Sequence, residues 1–329
     1  MQRRCMARHN PVTTLPLGTT AMASPFLLSI PMRHFLEVAQ AGSVNQAAAR
    51  LCVAPSAVSR QIAKLEDALG TPLFERQSRG MVLTPAGQRL AGHLQHAVLD
   101  GEAVLDQVRH LGAQTVARVR VCCTEGFAAG FMPAFMQTFI ADMPGSQIEL
   151  LVGSPEDVSQ WLLRGEADIG LKYAVAPELG LRVAHAAPAP VMAVMPPDHP
   201  LAAQETVTLA AVVRYPLLVG SKGVTARQLF DLACSAQGLR YTPVLVSNFS
   251  SVMLPLLRSP QVLLSGVLTV QHLLDAGRAV ARPFGEPVLE QRRLLVLALE
   301  GRTLPPPVAA CVERMVAAIG GPNPAPAIS

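Results

Sequence analysis

The chain has 329 residues, of which 50% are hydrophobic and 15% charged, with a formal net charge of +4. This length and apolar content favour two or three folded domains over one. The six cysteines include no C-x-x-C pair, and no stretch contains the roughly 18 unbroken apolar residues of a membrane-spanning helix. We therefore expect no metal or cofactor site, no disulfide framework and no contact with a membrane.

The first 28 residues contain three arginines and a Thr- and Pro-containing stretch, and the apolar patch that follows covers only residues 26–30. A signal peptide needs an apolar segment of about 7 to 15 residues. We therefore expect a cytoplasmic protein in which residues 1–28 are a flexible extension, or in which translation starts at Met22 or Met32.

Residues 29–84 have the pattern of a small helical domain followed by a hairpin. Apolar residues at helical spacing predict a first helix from Met32 to Gly42 and a second helix that Ser43 caps. Pro55 suits the first turn of a third helix, because its missing N–H would have no partner there, and Gly70 suits the helix end. Two short strand-like runs, at residues 72–76 and 81–83, predict the hairpin.

The third helix has one apolar and one polar face. The apolar stripe, which should pack on the first two helices, consists of Val58, Ile62, Leu65 and Leu69. The polar face starts with hydroxyls and continues with two cations, and its members are Ser56, Ser59, Arg60, Ala63, Lys64 and Asp67. Hydroxyls can contact phosphates or base edges and arginine can bind guanine, so this face suits the major groove of double-stranded DNA. An ordinary solvated helix face is the alternative, which the tight helix-turn-helix spacing disfavours.

Positive charge is concentrated in the same segment. Residues 33–89 contain seven basic and four acidic residues, an excess of three. The hairpin would form a basic wing with Arg76 and Arg79 near its tip. There they could contact the sugar-phosphate backbone, which fixes register without reading sequence.

Thr84 and Pro85 predict the start of a long helix that runs to about residue 111, within a linker at residues 85–112. Its apolar residues roughly follow a three-to-four-residue spacing, and they are Leu90, Leu94, Ala97, Val98, Leu105 and Val108. So long a stripe favours pairing with a second copy of the helix. A connector packed on its own domain is the alternative.

Residues 32–90, MRHFLEVAQAGSVNQAAARLCVAPSAVSRQIAKLEDALGTPLFERQSRGMVLTPAGQRL, closely resemble the N-terminal domain of LysR-type transcriptional regulators. The resemblance includes the AVSRQI..LE..LG..LF.R core and the LT.AG entry to the linker helix. With the wing arginines and the Ser43 cap, it implies these DNA-binding residues: Ser43, Pro55, Ser56, Ser59, Arg60, Lys64, Arg76 and Arg79. Cys52 departs from the pattern, because many members carry His there.

Residues 113–329 alternate strand-like and helix-like runs, which predicts a parallel sheet wrapped by helices. Strands are predicted at residues 119–123, 147–152, 167–173, 191–195, 217–219, 244–246, 262–264 and 293–299, and helices at 127–142, 225–237, 306–319 and from residues 154 and 250.

The segments RGEADIGL and PPDHPLA extend the resemblance to LysR-type regulators more weakly into this region. It implies an α/β multidomain protein whose winged helix-turn-helix precedes a two-lobed, periplasmic-binding-protein-like effector domain. Lobe I would cover about residues 116–188 and 290–320 and lobe II about 190–288, with a crossover in the Pro-rich stretch 188–200.

Ligands of open parallel sheets bind beyond the strand C-termini, where helix N-termini offer free N–H groups to anions. We therefore expect a small-molecule effector, a carboxylate or other anion, in the cleft between the lobes. The candidate effector-binding residues are Thr124, Ser154, Lys222, Thr225, Asn248 and Ser250. Helix capping is the alternative role of each hydroxyl, and a solvated loop charge is the alternative for Lys222. The run SPQVLLSGVLTV stands where the family usually has a Gly-rich turn.

Two other classes of protein fit the sequence less well than a regulator. A solute-binding transport protein would share the two lobes but needs an export signal and no winged helix. An enzyme needs a nucleophile, an acid–base pair or a metal cluster, and no G-x-S-x-G, H-E-x-x-H or Gly-rich phosphate loop is present. We therefore predict no catalytic residues. The resemblance implies a dimer of dimers in which the effector alters the bending of a near-palindromic promoter site and the access of RNA polymerase.

Overall fold

The structure is a computed structural model that describes residues 27–77, 80–109 and 118–320. The predicted extension lies almost wholly outside these residues. The first described part forms three helices, a hairpin and a long helix: α1 (Ile30–Ala41), α2 (Val44–Leu51), α3 (Pro55–Leu69), β1 (Phe74–Gln77), β2 (Gly80–Leu83) and α4 (Pro85–Arg109). The three predicted helices, the hairpin and the long helix are all present.

The three short helices and the hairpin share one apolar core. Each helix contributes fully buried side chains to it, among them Phe35, Ala47 and Val58. The hairpin is held to the α1–α2 turn, because the Met81 N–H donates a hydrogen bond to the Gly42 carbonyl at 2.9 Å. The wing therefore has a defined position beside the helices.

The apolar stripe predicted on α3 is one residue too long. Val58, Ile62 and Leu65 are buried, whereas Leu69 is 50% exposed. Leu69 is the last residue of α3, so it lies beyond the part of the helix that packs on α1 and α2. The prediction for Leu69 is therefore wrong.

The long helix α4 begins as predicted. The Thr84 hydroxyl accepts a hydrogen bond from the Gly87 N–H at 3.0 Å and donates one to the Pro72 carbonyl at 2.9 Å. The predicted stripe is divided between two environments. Leu94 and Val98 are buried in the core of the winged helix, whereas Ala97, Leu105 and Val108 are exposed or half-buried. The first half of the helix thus packs on its own domain, as expected if α4 is a connector rather than a helix paired along its whole length with a second copy.

Residues 118–320 form two α/β lobes. Lobe I contains β3 (Arg118–Thr124), α5 (Glu125–Ala128), α6 (Phe131–Asp142), β4 (Gln147–Gly153), α7 (Pro155–Leu163), β5 (Ile169–Ala174), β6 (Leu181–Pro188), β12 (Arg293–Leu299) and α13 (Pro306–Gly320). Lobe II contains β7 (Met192–Met195), α8 (Leu209–Val212), β8 (Leu217–Gly220), α9 (Thr225–Ala236), β9 (Leu245–Ser247), α10 (Ser250–Met253), a 3-10 turn (Leu254–Leu256), β10 (Val262–Ser265), α11 (Val267–Asp275), β11 (Val280–Pro283) and α12 (Pro287–Glu290).

Each lobe has a five-stranded sheet, with strand order β4-β3-β5-β12-β6 in lobe I and β11-β7-β10-β8-β9 in lobe II. Parallel pairing was predicted throughout, and it holds for β3, β4 and β5 and for β8, β9 and β10. The strands β7, β11 and β12 pair antiparallel with their neighbours, and so does β6. The strands β7 and β12, which follow the two crossovers between the lobes, run against the parallel strands, whereas β6 and β11 are antiparallel only to these two neighbours and run in the direction of the parallel strands.

The helix predicted over residues 127–142 is interrupted. It consists of α5 and α6, which are separated near Gly130. A β-carbon at Gly130 would lie 2.8 Å from the Leu268 carbonyl oxygen and 3.0 Å from that of Thr269, so α11 of lobe II approaches the backbone there. The interruption thus lies where the two lobes meet. Among the residues described, no helix is both long and apolar enough to cross a membrane.

A polar chain connects the winged helix to lobe I through α4. The Gln40 side-chain amide donates to the Gln95 side chain at 2.9 Å, and the Gln95 amide donates to the Arg164 carbonyl at 2.8 Å. Gly165 has a φ of +68°, which favours glycine, and a β-carbon there would lie 2.7 Å from side-chain atoms of Gln95 and Leu99. The turn between α7 and β5 of lobe I is therefore packed directly on the linker helix.

Candidate functional site

The polar face predicted on α3 is accessible. Pro55, Ser56, Arg60 and Lys64 are exposed and Ser59 is half-buried. Positions 56, 60 and 64 recur at the i, i+4 spacing that places side chains on one side of a helix. The opposite side of α3 is held by the core of the domain, so the polar side is turned outward.

The wing and the α1–α2 turn lie beside this face. Arg76 is exposed on β1, opposite Met81 of β2. Ser43 occupies the N-cap position of α2, but its hydroxyl makes no capping hydrogen bond and is available to another partner. Arg79 lies outside the described residues.

Glu66 was not identified from the sequence as a functional residue, and it positions the wing. Its carboxylate accepts hydrogen bonds from the backbone N–H groups of Leu73 at 2.7 Å and Phe74 at 3.2 Å. These are the residues where the chain enters β1. The carboxylate of α3 therefore ties the polar helix to the hairpin.

The exposed cations of this surface are not neutralised. Within the described residues, Arg60, Lys64 and Arg76 form no ion pair, whereas Arg50 pairs with Glu37 at 3.2 Å. Unpaired cations on one face can bind phosphate groups without first breaking an internal contact. The hydroxyls, the cations and the wing together have the composition of a nucleic-acid interface.

A second candidate site is a cavity of about 350 Å³ between the lobes. Five of the six predicted residues line it: Thr124, Ser154, Thr225, Asn248 and Ser250. Lys222 does not. It is exposed in the β8–α9 loop, and its neighbours Ser221 and Gly223 line the cavity instead. The placement of Lys222 in the cavity was therefore wrong, and the solvated loop charge was the better interpretation.

The hydroxyls that line the cavity differ in their partners. Ser154 and Asp157 form the predicted capping box, with the Asp157 N–H donating to the Ser154 hydroxyl at 3.1 Å and the Ser154 N–H donating to the carboxylate at 2.9 Å. The Thr225 hydroxyl donates to the Tyr173 carbonyl at 3.2 Å. The Thr124 hydroxyl, by contrast, is buried without any hydrogen-bond partner, and the residue is only 9% exposed. A buried hydroxyl without a partner destabilises a fold, so Thr124 is available for a ligand.

Glu125 joins the two lobes at the cavity, and sequence reasoning missed it. Its carboxylate, at the start of α5 in lobe I, accepts hydrogen bonds from the N–H and hydroxyl of Ser250 and from the Ser251 N–H, at 2.5, 2.5 and 2.9 Å. Both serines belong to α10 in lobe II. The only signal in the sequence is an acidic residue directly after a strand end.

Arg292 and Tyr173 form the back of the cavity. Arg292 belongs to the second crossover, and it donates to the Ala189 and Pro190 carbonyls of the first crossover at 2.7 and 2.9 Å and to the Ser265 carbonyl at 3.2 Å. Its guanidinium lies 4.4 Å from the centre of the Tyr173 ring. Burial lowers the pKa of Arg292 to about 10, so it stays charged at neutral pH. Arg292 thus fastens the two crossovers together.

No group of three or more His, Cys, Asp or Glu residues that could hold a metal ion occurs in the described parts of the chain. The described cysteines other than Cys52 are buried. Burial raises the pKa of Cys123 to about 12 and of Cys234 to about 11, which keeps both thiols protonated. The reactive thiolate form of these two residues is therefore disfavoured at neutral pH.

Comparison with known protein families matches both parts of the chain. Residues 31–88 match the bacterial regulatory helix-turn-helix protein, lysR family, and residues 112–319 match the LysR substrate binding domain. Together these matches cover most of the chain.

Curated relatives and solved structures agree with these matches. The chain is 30% identical over 240 residues to the uncharacterized HTH-type transcriptional regulator YdcI of Escherichia coli K12, covering 69% of this chain and 76% of YdcI. It is 30% identical over 140 residues to the regulator IlvY of the same organism, covering 43% of this chain and only 47% of IlvY. Full-length OxyR from Pseudomonas aeruginosa shares the fold, with a TM-score of 0.57 at 22% identity over 88% of this chain and 93% of OxyR. The chain therefore belongs to the LysR family of transcriptional regulators, DNA-binding proteins with an effector-binding domain, and it is not an enzyme.

Proposed function

We propose that this protein regulates transcription by inserting α3 into the major groove of a near-palindromic promoter site. The observation that carries the proposal is the orientation of α3, whose apolar side is buried while Ser56, Arg60 and Lys64 are exposed. Among the residues that the structure describes, neither Arg60 nor Lys64 forms an ion pair. Arg60 would read a base, while Ser43, Lys64 and the wing arginines would contact phosphates. Its place of action would be the cytoplasm, where the DNA is.

We further propose that a small-molecule effector binds in the interlobe cavity and changes the relation between the lobes. The effector would contact five residues that line the cavity: Thr124, Ser154, Thr225, Asn248 and Ser250. It would favour one degree of lobe closure over another. An effector can shift such an equilibrium only through a difference in its affinity for the two states. That change would reach the DNA through α4, which contacts lobe I at Arg164.

The assembly that we propose is a dimer, paired through the exposed half of α4, and a dimer of two such dimers. Val104 and Val108 are each 56% exposed on that half, and an apolar stripe of this kind favours a second copy of the helix. A changed angle between dimers would alter DNA bending and the access of RNA polymerase. We propose that the units that move relative to one another are the domains predicted from the sequence: the winged helix-turn-helix at residues 29–84, the linker at 85–112 and the effector domain at 113–329.

The test is DNA binding by the full-length protein to a duplex that it selects from a randomised library. We expect one enriched, near-palindromic sequence, and an affinity that falls steeply with salt between about 50 and 200 mM. A scrambled duplex of equal length is the control. Failure to enrich any sequence, with equal affinity for both duplexes, would overturn the proposed function.

A further inference from the structure

We infer that the interlobe cavity takes a neutral or cationic polar effector rather than a carboxylate or another anion. This inference rests on the proposed effector site and deepens it by naming the charge class of the ligand. It departs from the anion that the free N–H groups of helix ends led us to expect.

The charges that line the cavity are mainly negative. Three carboxylates, those of Glu125, Glu156 and Asp157, line the cavity together with one cation, the guanidinium of Arg292. None of the three carboxylates has an ion-pair partner in the described parts of the chain. An anion that enters this cavity would therefore meet an excess of negative charge, which weakens binding.

Glu125 also occupies the donors that an anionic effector would use. Its carboxylate accepts both the N–H and the hydroxyl of Ser250 and the N–H of Ser251, at 2.5 to 2.9 Å. These three donors belong to one turn and converge on one carboxylate. An effector carboxylate could reach them only by displacing Glu125, and it would then lie beside the displaced charge.

The one cation of the cavity wall is already engaged. The Nε and Nη2 atoms of Arg292 donate to three backbone carbonyls, and its guanidinium lies over the Tyr173 ring. Arg292 is 2% exposed. Its charge is therefore used to hold the crossovers together, and moving it toward a ligand would break these contacts.

Thr124 gives an independent indication that a ligand is expected. Its Oγ1 atom is buried without a hydrogen-bond partner, in a residue that lines the cavity and directly precedes Glu125. A hydroxyl can accept a hydrogen bond from an ammonium, amidinium or amide group and can donate one to a neutral oxygen. A neutral or cationic donor could therefore satisfy Thr124 while it also contacts the carboxylate of Glu125.

The experiment uses three probes of nearly equal shape and different charge. Calorimetric titration of the full-length protein with benzamidine, benzamide and benzoate, each up to about 10 mM, gives three affinities. We expect benzamidine or benzamide to bind at least about tenfold more tightly than benzoate. Benzoate as the tightest probe, affinities within tenfold of one another, or no binding by any of the three would overturn the inference.

Variants then assign the discrimination to the cavity. Glu125→Gln removes the charge and keeps an acceptor, and we expect it to reduce the preference over benzoate by at least about threefold. Asp157→Asn tests the same effect at a second carboxylate, in case Glu125→Gln does not fold. Glu149→Gln, which removes an exposed charge outside the cavity lining, is the matched control and should leave the preference unchanged. A preference that survives both of these variants and Glu156→Gln in folded protein would exclude the cavity carboxylates as its source.

DNA binding by the same samples separates this inference from the proposed function. Charge discrimination in a protein that selects no DNA sequence would leave the inference standing and remove the regulator mechanism. Sequence-specific DNA binding without charge discrimination would support the regulator mechanism and overturn the inference about the effector's charge.

Discussion

The carboxylate of Glu125 in lobe I accepts hydrogen bonds from both the N–H and the hydroxyl of Ser250 in lobe II, at 2.5 Å each. The two residues are 125 positions apart in the chain, and the cavity lies beside their contact. Any ligand that competes for Glu125 would therefore change how firmly the lobes are held together.

Removal of the Ser250 hydroxyl should weaken this contact. Ser250→Ala deletes one hydrogen bond to a charged acceptor, and we expect the free energy of unfolding of the effector domain to fall by about 1.5 kcal/mol. Ser251→Ala is the matched control, because Ser251 contributes its backbone N–H to Glu125 and should show no loss. Urea unfolding of both variants is the measurement, and equal stability of the two would contradict the assignment.

Thr124 and Thr225 should respond in opposite directions to the same substitution. Thr124→Val removes a buried hydroxyl that has no partner, so we expect the free energy of unfolding to rise by about 1 kcal/mol. Thr225→Val removes the hydrogen bond to the Tyr173 carbonyl and should lower it by about 1 kcal/mol. Thermal unfolding without ligand compares the two, and a loss of stability in both would show that Thr124 has a partner.

A buried charge cluster should make the stability of lobe I depend on pH. Asp168 pairs with Arg120 and Arg302 at 2.7 Å each, and its carboxylate is 4% exposed. Burial opposes ionisation of Asp168, but the hydrogen bond and charge of Arg120 and the charge of Arg302 outweigh it and hold its pKa below the ordinary value. Asp168→Asn leaves two arginines without their partner, so we expect a loss of about 3 kcal/mol at pH 7.

The pH at which this loss disappears follows from the sign of the shift. A carboxyl whose pKa is lowered on folding contributes stability above its unfolded pKa, and the contribution vanishes as pH falls through the lowered folded value. The difference between wild type and Asp168→Asn should therefore stay constant from pH 7 to about 5 and shrink below about pH 4. Glu149→Gln, in the exposed pair with Arg118, should cost less than about 1 kcal/mol at any pH. If Asp168→Asn also lowered the free energy of unfolding by less than about 1 kcal/mol, the charge cluster of Asp168 would be solvated rather than buried.

The buried thiols should not react with oxidants in the native protein. Cys122, Cys123, Cys234 and Cys311 are buried, and burial raises their pKa values above that of an ordinary thiol. In a Cys5→Ser background, we expect a thiol reagent to modify only Cys52 in the native protein, and peroxide to leave the DNA affinity unchanged. A second rapidly reacting thiol, or a loss of affinity that Cys52→Ala does not prevent, would contradict this.

Local sequence signals predicted many of the elements and their ends, although they gave no indication of β6, β11, α8, α11 or α12. Pro55 and Gly70 bound α3, and both the Thr84 cap and the capping box of Ser154 form their hydrogen bonds. These helix ends depend on residues within a few positions of one another, so they can be predicted from the local sequence.

Features that depend on distant residues were missed. The exposure of Leu69 depends on where α1 and α2 end their contact with α3. Lys222 is exposed and does not line the cavity, one wall of which belongs to lobe I. The role of Glu125 requires Ser250 in the other lobe, and the interruption near Gly130 requires α11. Periodicity and caps describe neighbours in sequence and contain no information on such pairs.

The central claim is that the exposed face of α3 reads DNA, and the affinity of Arg60→Ala tests it most directly. Fluorescence anisotropy on the selected duplex should show a loss of about 1 to 3 kcal/mol for Arg60→Ala, with affinity for a scrambled duplex reduced much less. Arg118→Ala, an exposed arginine of lobe I, should match the wild type on both duplexes. Unchanged affinity of Arg60→Ala for the selected duplex would contradict the claim.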